Sequence, residues 1–456
     1  NAACAPVNPV VFTGSTTVTC TLVSASVDGA RKAQVDNYAL NESNPSSVIT
    51  VTGQPADRLL AMFPGETRVQ GKTAAPAGKT TPAAMDFQAG SITTVTVVGV
   101  DQYYNTDTSA GMLVTGNVFS DPNDVNPAAL NLVGGTTRFF FVPVTASTHN
   151  VIVQSASLPA LTSTYITPNP VTVWWSRPEK LQVLAAGQKA SPGAQPYDQD
   201  PTTGGRAADL PSALTAGVTT QITVNLVDRY FNVVKGTTPF LPQTVLPVSS
   251  YTAAIEMRFP NDTNIQLRGL APALYQKALV AGTTNFSVIP VTRNGSFQVK
   301  VVNALAGTTY YSDTVAGIAV GPNSAIGLQL LVPPETALEG SPTGKTGATP
   351  GPLVAGTPYT VTVNAVDLYN NLANDGRNVA LTSNDIYATM PAPAILSAGT
   401  RDFGGFVVSA ATANLTVTVT DSDIIGPPLA SQTTASISVV PGAPVKLLTV
   451  MPGETL

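Results

Sequence analysis

The chain repeats itself over spans the size of a domain, and this limits its possible folds more than any other feature. Three signatures recur in the same order. The first is an apolar stretch entering a turn: ADRLLAMFPGET from Ala56, EKLQVLAAG from Glu179, AIGLQLLVPPET from Ala325 and PVKLLTVMPGET from Pro444. Its markers Leu59, Leu181, Leu328 and Leu447 stand 122, 147 and 119 residues apart. Repeats of that length are folded units, not solenoid turns.

The second signature is a Gly-led stretch running into an Asp-aromatic-Asn turn: AGSITTVTVVGVDQYYN, AGVTTQITVNLVDRYFN and AGTPYTVTVNAVDLYNN, marked by Asp101, Asp228 and Asp367. The third is a Gly-Thr start followed by two alternating stretches, with Phe139, Phe286 and Phe403 in register. Thr alternating with Val, as in TVTVV and LTVTVT, puts one residue type on each face of a strand. With 37 Gly, 38 Pro and only 11% charged residues, long wet-faced helices are disfavoured. The expected fold is therefore all-β, a tandem array of β-sandwiches with about seven strands per unit. The Gly- and Pro-rich segments between the first and second signatures are expected to run along a sheet edge.

The expected organisation is a partial or atypical β domain over 1–54, sandwiches over 55–177, 178–323 and 324–443, and an orphan strand over 444–456 that is either a donor strand or the start of a next repeat. The motifs AVDLYNN, VALTSND and VVPGAPVKLL in 332–456 resemble the bacterial immunoglobulin-like tandem repeats of large secreted and cell-surface proteins. The two preceding units share the resemblance, and residues 1–54 do not. It implies immunoglobulin-like extracellular modules used as stalks, filaments or adhesins.

Twenty-two basic and 27 acidic residues give a net charge of −5, which disfavours a nucleic-acid surface. The most apolar stretches, such as Ser324–Pro334, are too short to span a bilayer as a helix. The chain opens Asn1-Ala-Ala-Cys4 without an apolar signal segment, as a processed chain or an excerpt would. Low charge and abundant Thr and Ser point to an extracellular or cell-surface location. Cys4 and Cys20 are expected to form one local disulfide, with a pair of buried thiols as the alternative.

Residues with chemical potential are few. Asp101, Asp228 and Asp367, with Asp107 and Asp375, are the calcium candidates. The competing expectation is a structural turn: Asp accepts local N–H groups, Asn takes the left-handed position and the aromatic packs on the sheet. Gly71-Lys72-Thr73, Gly78-Lys79-Thr80 and Gly344-Lys345-Thr346 look like pieces of a phosphate loop but lack its spacing, so they read as loop residues. His149, the only histidine, reads as a solvated hairpin residue, and no GxSxG motif accompanies it. Trp174 and Trp175 are adjacent, so on a strand they would face opposite ways and one would serve interdomain packing. Sequons occur at Asn41, Asn261, Asn285, Asn294 and Asn414. No catalytic residues or organic cofactors are expected.

The terminal stretch repeats the opening strand of each unit, and residues 1–54 have no such strand. This pairing suggests an extracellular filament, sheath or surface layer in which copies join head to tail, with Leu447, Leu448, Val450 and Met451 making the contact. The rival expectations are a stalk or adhesin module that binds glycan or host protein, and a non-catalytic part of a secreted hydrolase.

Overall fold

The computed structural model describes residues 2–5, 19–22 and most of 53–454; the exceptions are 81–85, 119, 160–163, 168–169, 198–203, 208–209, 237, 241–253, 268–274, 305–309, 348–349 and 424–425. The regular structure of the described chain is strand throughout, apart from one short α-helix at Asn264–Leu267. No helix among the described residues is long and apolar enough to cross a membrane. The fold class is all-β, in immunoglobulin-like sandwiches.

The buried apolar residues fall into separate clusters in chain order. Residues from Leu59 to Val171 form the first, Leu181 to Val320 the second and Leu328 to Val439 the third. Each cluster fills one module, and each fully buried Leu, Val or Phe within it contributes about 1.5–3 kcal/mol. Phe139, Phe286 and Phe403, the in-register aromatics of the third signature, lie in the three clusters in turn.

Each module has a three-stranded antiparallel sheet with the opening strand at its edge. In the first module, Arg58–Met62 pairs with Thr93–Val100, which pairs with Thr136–Phe141. Pro178–Leu184, Thr220–Asp228 and Thr283–Val288 repeat the order, as do Gly327–Leu331, Pro358–Val366 and Thr400–Val407. Period two explains the packing: Thr93–Val100 buries Val95 and Val97 against the opposite sheet. A short strand ahead of each central strand pairs parallel with the closing strand, as Asp86–Gln88 does with Val171–Trp174. Leu214–Thr215 with Asp313–Gly321, and Leu353–Val354 with Val439–Val440, repeat this.

The remaining strands of the second layers pair antiparallel, for example Asn378–Ser383 with Val417–Asp421. Between residues 2 and 22, Ala2–Ala5 pairs with Thr19–Leu22, and the register sets Cys4 directly opposite Cys20. Sequons Asn261, Asn285, Asn294 and Asn414 fall in the described segments, and Asn41 lies outside them.

Two expectations need correction. His149 is not solvated: it is 1% exposed in the strand Thr148–His149, with Nδ1 2.9 Å from Ser120 Oγ and Nε2 2.7 Å from the Thr145 carbonyl. Burial is tolerated because both ring nitrogens have partners. Trp174 and Trp175 do not point apart. The strand ends at Trp174, so the rings meet edge to face at 5.5 Å, and their N–H groups bond Asp86 and the Gly236 carbonyl.

Candidate functional site

The Asp-aromatic-Asn turns of Asp228 and Asp367 stand where one described module meets the next. Asp228 Oδ1 accepts the N–H groups of Tyr230 and Asn232, each at 2.9 Å. Its Oδ2 accepts the linker N–H of Ser176 at 2.8 Å and the Asn232 side-chain amide at 3.0 Å. Asp367 repeats the pattern with Tyr369, Asn371 and linker Asn323, and Asp101 with Tyr103, Asn105 and Gln54. All three carboxylates are buried. Burial pushes the Asp228 carboxyl upward, and the ring of N–H donors opposes it.

These lone pairs are committed to N–H donors of the chain itself, so a cation at Asp101, Asp228 or Asp367 would have to displace them. Asp107 binds the N–H groups of Ala56 and Ser109, and Asp375 that of Arg377. No group of three or more potential metal ligands occurs among the described residues. One detail of the expected turn is corrected: the left-handed residue is the one before the final Asn, namely Tyr104, Phe231 or Asn370, at φ of 62°, 63° and 62°. The final Asn is kept for another task.

That task is clamping the preceding module. The Asn232 side-chain amide donates to the Val144 carbonyl at 2.9 Å, and its Oδ1 accepts the Ala146 N–H at 2.7 Å. Asn371 makes the same pair of bonds to Val291 and Arg293, at 2.9 and 2.8 Å. The clamp is returned from the other side: Asn123 donates to the Pro192 carbonyl and Asn264 to the Glu339 carbonyl. The turn tyrosines complete the joint. Tyr230 lies against Gly90 and Tyr369 against Gly217, so closely that neither glycine could carry a methyl group. Arg293 and Glu339 add a bidentate ion pair across the second joint.

The Gly-Lys pieces seal the turns from within each module. Gly78 packs on Tyr104, Gly205 on Phe231 and Gly344 on Asn370, with no space for a side chain at any of the three. The cation that follows is buried or half-buried. Lys79 pairs with Glu66 at 2.9 Å, Lys345 with Glu335 at 2.6 Å, and Arg206 with Asp313. Glu66 and Glu335 also cap the turn after the opening strand by accepting the N–H of Phe63 and Val332. The third predicted piece, Gly71-Lys72-Thr73, is held through Lys72 Nζ to the Lys79 carbonyl.

The exposed terminal stretch does not belong to the third core. Leu447 is fully exposed, Leu448 and Met451 are largely so, and Val450 is partly exposed. Residues 441–450 form no strand pairing, yet Glu454 already caps its turn by accepting the Met451 N–H at 2.8 Å, as Glu66 and Glu335 do.

No protein-family model matches the chain, and no curated protein sequence does. Solved structures give distant likenesses. The Escherichia coli adhesin FdeC aligns over 86% of this chain and 99% of its own, at 11% identity and a TM-score of 0.27. A Ca2+-stabilized adhesin of an Antarctic bacterium covers 90% of this chain and 80% of its own, at 13% and 0.16. The chicken CNTN1 FN1-FN3 domains cover 78% and 100%, at 10% and 0.24. With scores this low, the fold assignment rests on the strand pairing and the three cores.

Proposed function

We propose that this chain is a load-bearing rod of an extracellular surface structure: immunoglobulin-like modules held in file as a stalk, or as the shaft of a filament, sheath or surface layer, without catalysis. One observation carries the reading. The same two-sided clamp, Asn232 and Asn371 forward with Asn123 and Asn264 in return, recurs at both described joints. Such repetition sets the angle between neighbours with directional bonds instead of a flexible linker. Low charge suits lateral packing, because few ions need be desolvated. Small-angle scattering of the chain should give one extended, stiff particle. A profile of independently tumbling beads, or turnover of a polysaccharide, would overturn the proposal.

Joining of copies head to tail is the second reading, supported by the exposure of Leu447, Leu448, Val450 and Met451. Edge addition of that strand to another copy would bury them. Negative-stain images showing fibres that vanish when residues 444–456 are deleted would support this polymer.

A further inference from the structure

The stretch after the third module has the residue pattern of one opening strand in particular. Aligned on the marker leucines, KLLTVMPGET from Lys446 matches RLLAMFPGET from Arg58 at both leucines and throughout Pro-Gly-Glu-Thr. The other two opening strands diverge at positions whose partners differ from module to module.

Three such positions can be read from the cores. The first precedes the marker leucine and faces the left-handed turn residue: Arg58 lies over Tyr104 at 5.5 Å and Lys180 over Phe231 at 3.9 Å, whereas the third module has Gly327 and Asn370. A cation there goes with an aromatic ring. The second follows the leucine. Leu60 pairs in register with Val98 in an apolar cluster, but Gln182 pairs with Asn225 and Gln329 with Asn364. Those amides form buried chains. Thr283 donates to Asn225, Asn225 to Gln182 and Gln182 to the Gly205 carbonyl; Thr400, Asn364, Gln329 and Gly344 repeat this. The third is the capping glutamate, which meets a lysine in the first and third modules but is Gln188 in the second.

Lys446, Leu448 and Glu454 therefore ask for an aromatic turn residue, a valine and a lysine, and among the three modules only the first offers all of them, as Tyr104, Val98 and Lys79. The end of the third module is shaped for a joint as well. Gly356 corresponds to Gly90 and Gly217, since its N–H bonds Val408 as theirs bond Pro143 and Pro290. Among the described residues beyond its chain neighbours, no atom lies within 4 Å of where a Cβ on Gly356 would stand, the place that Tyr230 and Tyr369 fill at the other two. Asp385 organises Ser409 and Ala410 as Asp121 does Val144 and Thr145, so the Ser409 carbonyl and the Ala411 N–H stand where an Asn clamp would bind. Tyr387, 73% exposed, replaces the returning Asn123 and Asn264, so that half of the joint differs.

We propose that 444–454 is the opening strand of a fourth sandwich module of the first module's kind, covalently in line, and that the face around Gly356 receives the tyrosine and asparagine of its turn. The proposal rests on the rod reading. Extending the chain behind Thr455 with residues 68–175, the first module without its opening strand, tests it against an extension with residues 337–441 of the third. Hydrogen exchange at Leu447–Val450 should be strongly slowed in the first extension. In the second, Leu448 would leave the Asn364 amide unpaired, and protection should be roughly 10–100-fold lower. Leu448→Gln should reverse the preference.

Equal protection in the two extensions, no protection in either, or a preference that Leu448→Gln leaves unmoved would overturn the proposal. So would an unextended chain forming end-to-end oligomers that disappear on truncation after Ala443, since the strand would then serve a second copy. Equal protection in a stiff particle would sink this inference and leave the rod. The Leu448 preference in a flexible particle would do the reverse.

Discussion

Asn371 is buried with the third module's turn, yet its side chain is bonded to the second module at the Val291 carbonyl and the Arg293 N–H. Replacing it with Ala removes the side-chain amide from Asp367's donors and frees both backbone groups at the joint. The expected result is a loss of about 1–3 kcal/mol in the third module's unfolding free energy. Small-angle scattering should also show a broader spread of end-to-end distances. Asn414→Ala, at an exposed sequon away from the clamp, should change neither.

The turn carboxylates predict insensitivity to calcium. Asp228 already accepts from Ser176, Tyr230 and Asn232, so chelation with EGTA should leave the melting curve unmoved. Asp228→Ala should destabilise the second module by about 3 kcal/mol or more, because hydrogen bonds to a charged acceptor count for about 1.5–3 kcal/mol each and donors would be left buried. A melting temperature that rises with added Ca²⁺ in the parent chain and not in Asp228→Ala would refute this.

The strands and their order were legible because period two and turn residues are local signals, and Leu59, Leu181 and Leu328 all lie where the repeats put them. The joint was not, because Asn232 bonds main-chain groups of Val144 and Ala146, which have no side-chain signature. Asn225 and Lys180 fall on the face that alternation marks as wet. They are buried because a later Gly-rich segment and Phe231 cover that face. His149 was misread for a similar reason: its partners Ser120 and Thr145 converge only in three dimensions.

Cys4 and Cys20 face each other across an antiparallel ladder. Directly opposed residues have Cα atoms about 4.5–5.5 Å apart, within the range a disulfide spans. The purified chain should therefore resist alkylation until reduced and then take up two alkyl groups. Uptake without reduction would show free thiols. Melting of the three modules should be unchanged by Cys20→Ser, since the loop it closes ends before residue 53.

Asp124 gives the first joint a dependence on pH. Both its carboxylate oxygens are buried without a hydrogen-bond partner among the described residues. Burial, then the neighbouring Asp121 charge, pushes its carboxyl up to about 6, against the weaker opposing pull of its surroundings. The unfolded chain would titrate this group near ~3.9. Between the two values the folded state holds a proton that the unfolded state has released, so the group's contribution is full below ~4 and lost as pH rises through about 6. The first and second modules should melt higher at pH 5 than at pH 7. Burial also raises Asp313 to about 6, and Asp313 gives a slope of the same sign, so the diagnostic is a difference between proteins. Asp124→Asn should melt above the parent at pH 7, and the gap should close toward pH 5. An unchanging gap would show that Asp124 titrates like an ordinary surface carboxylate.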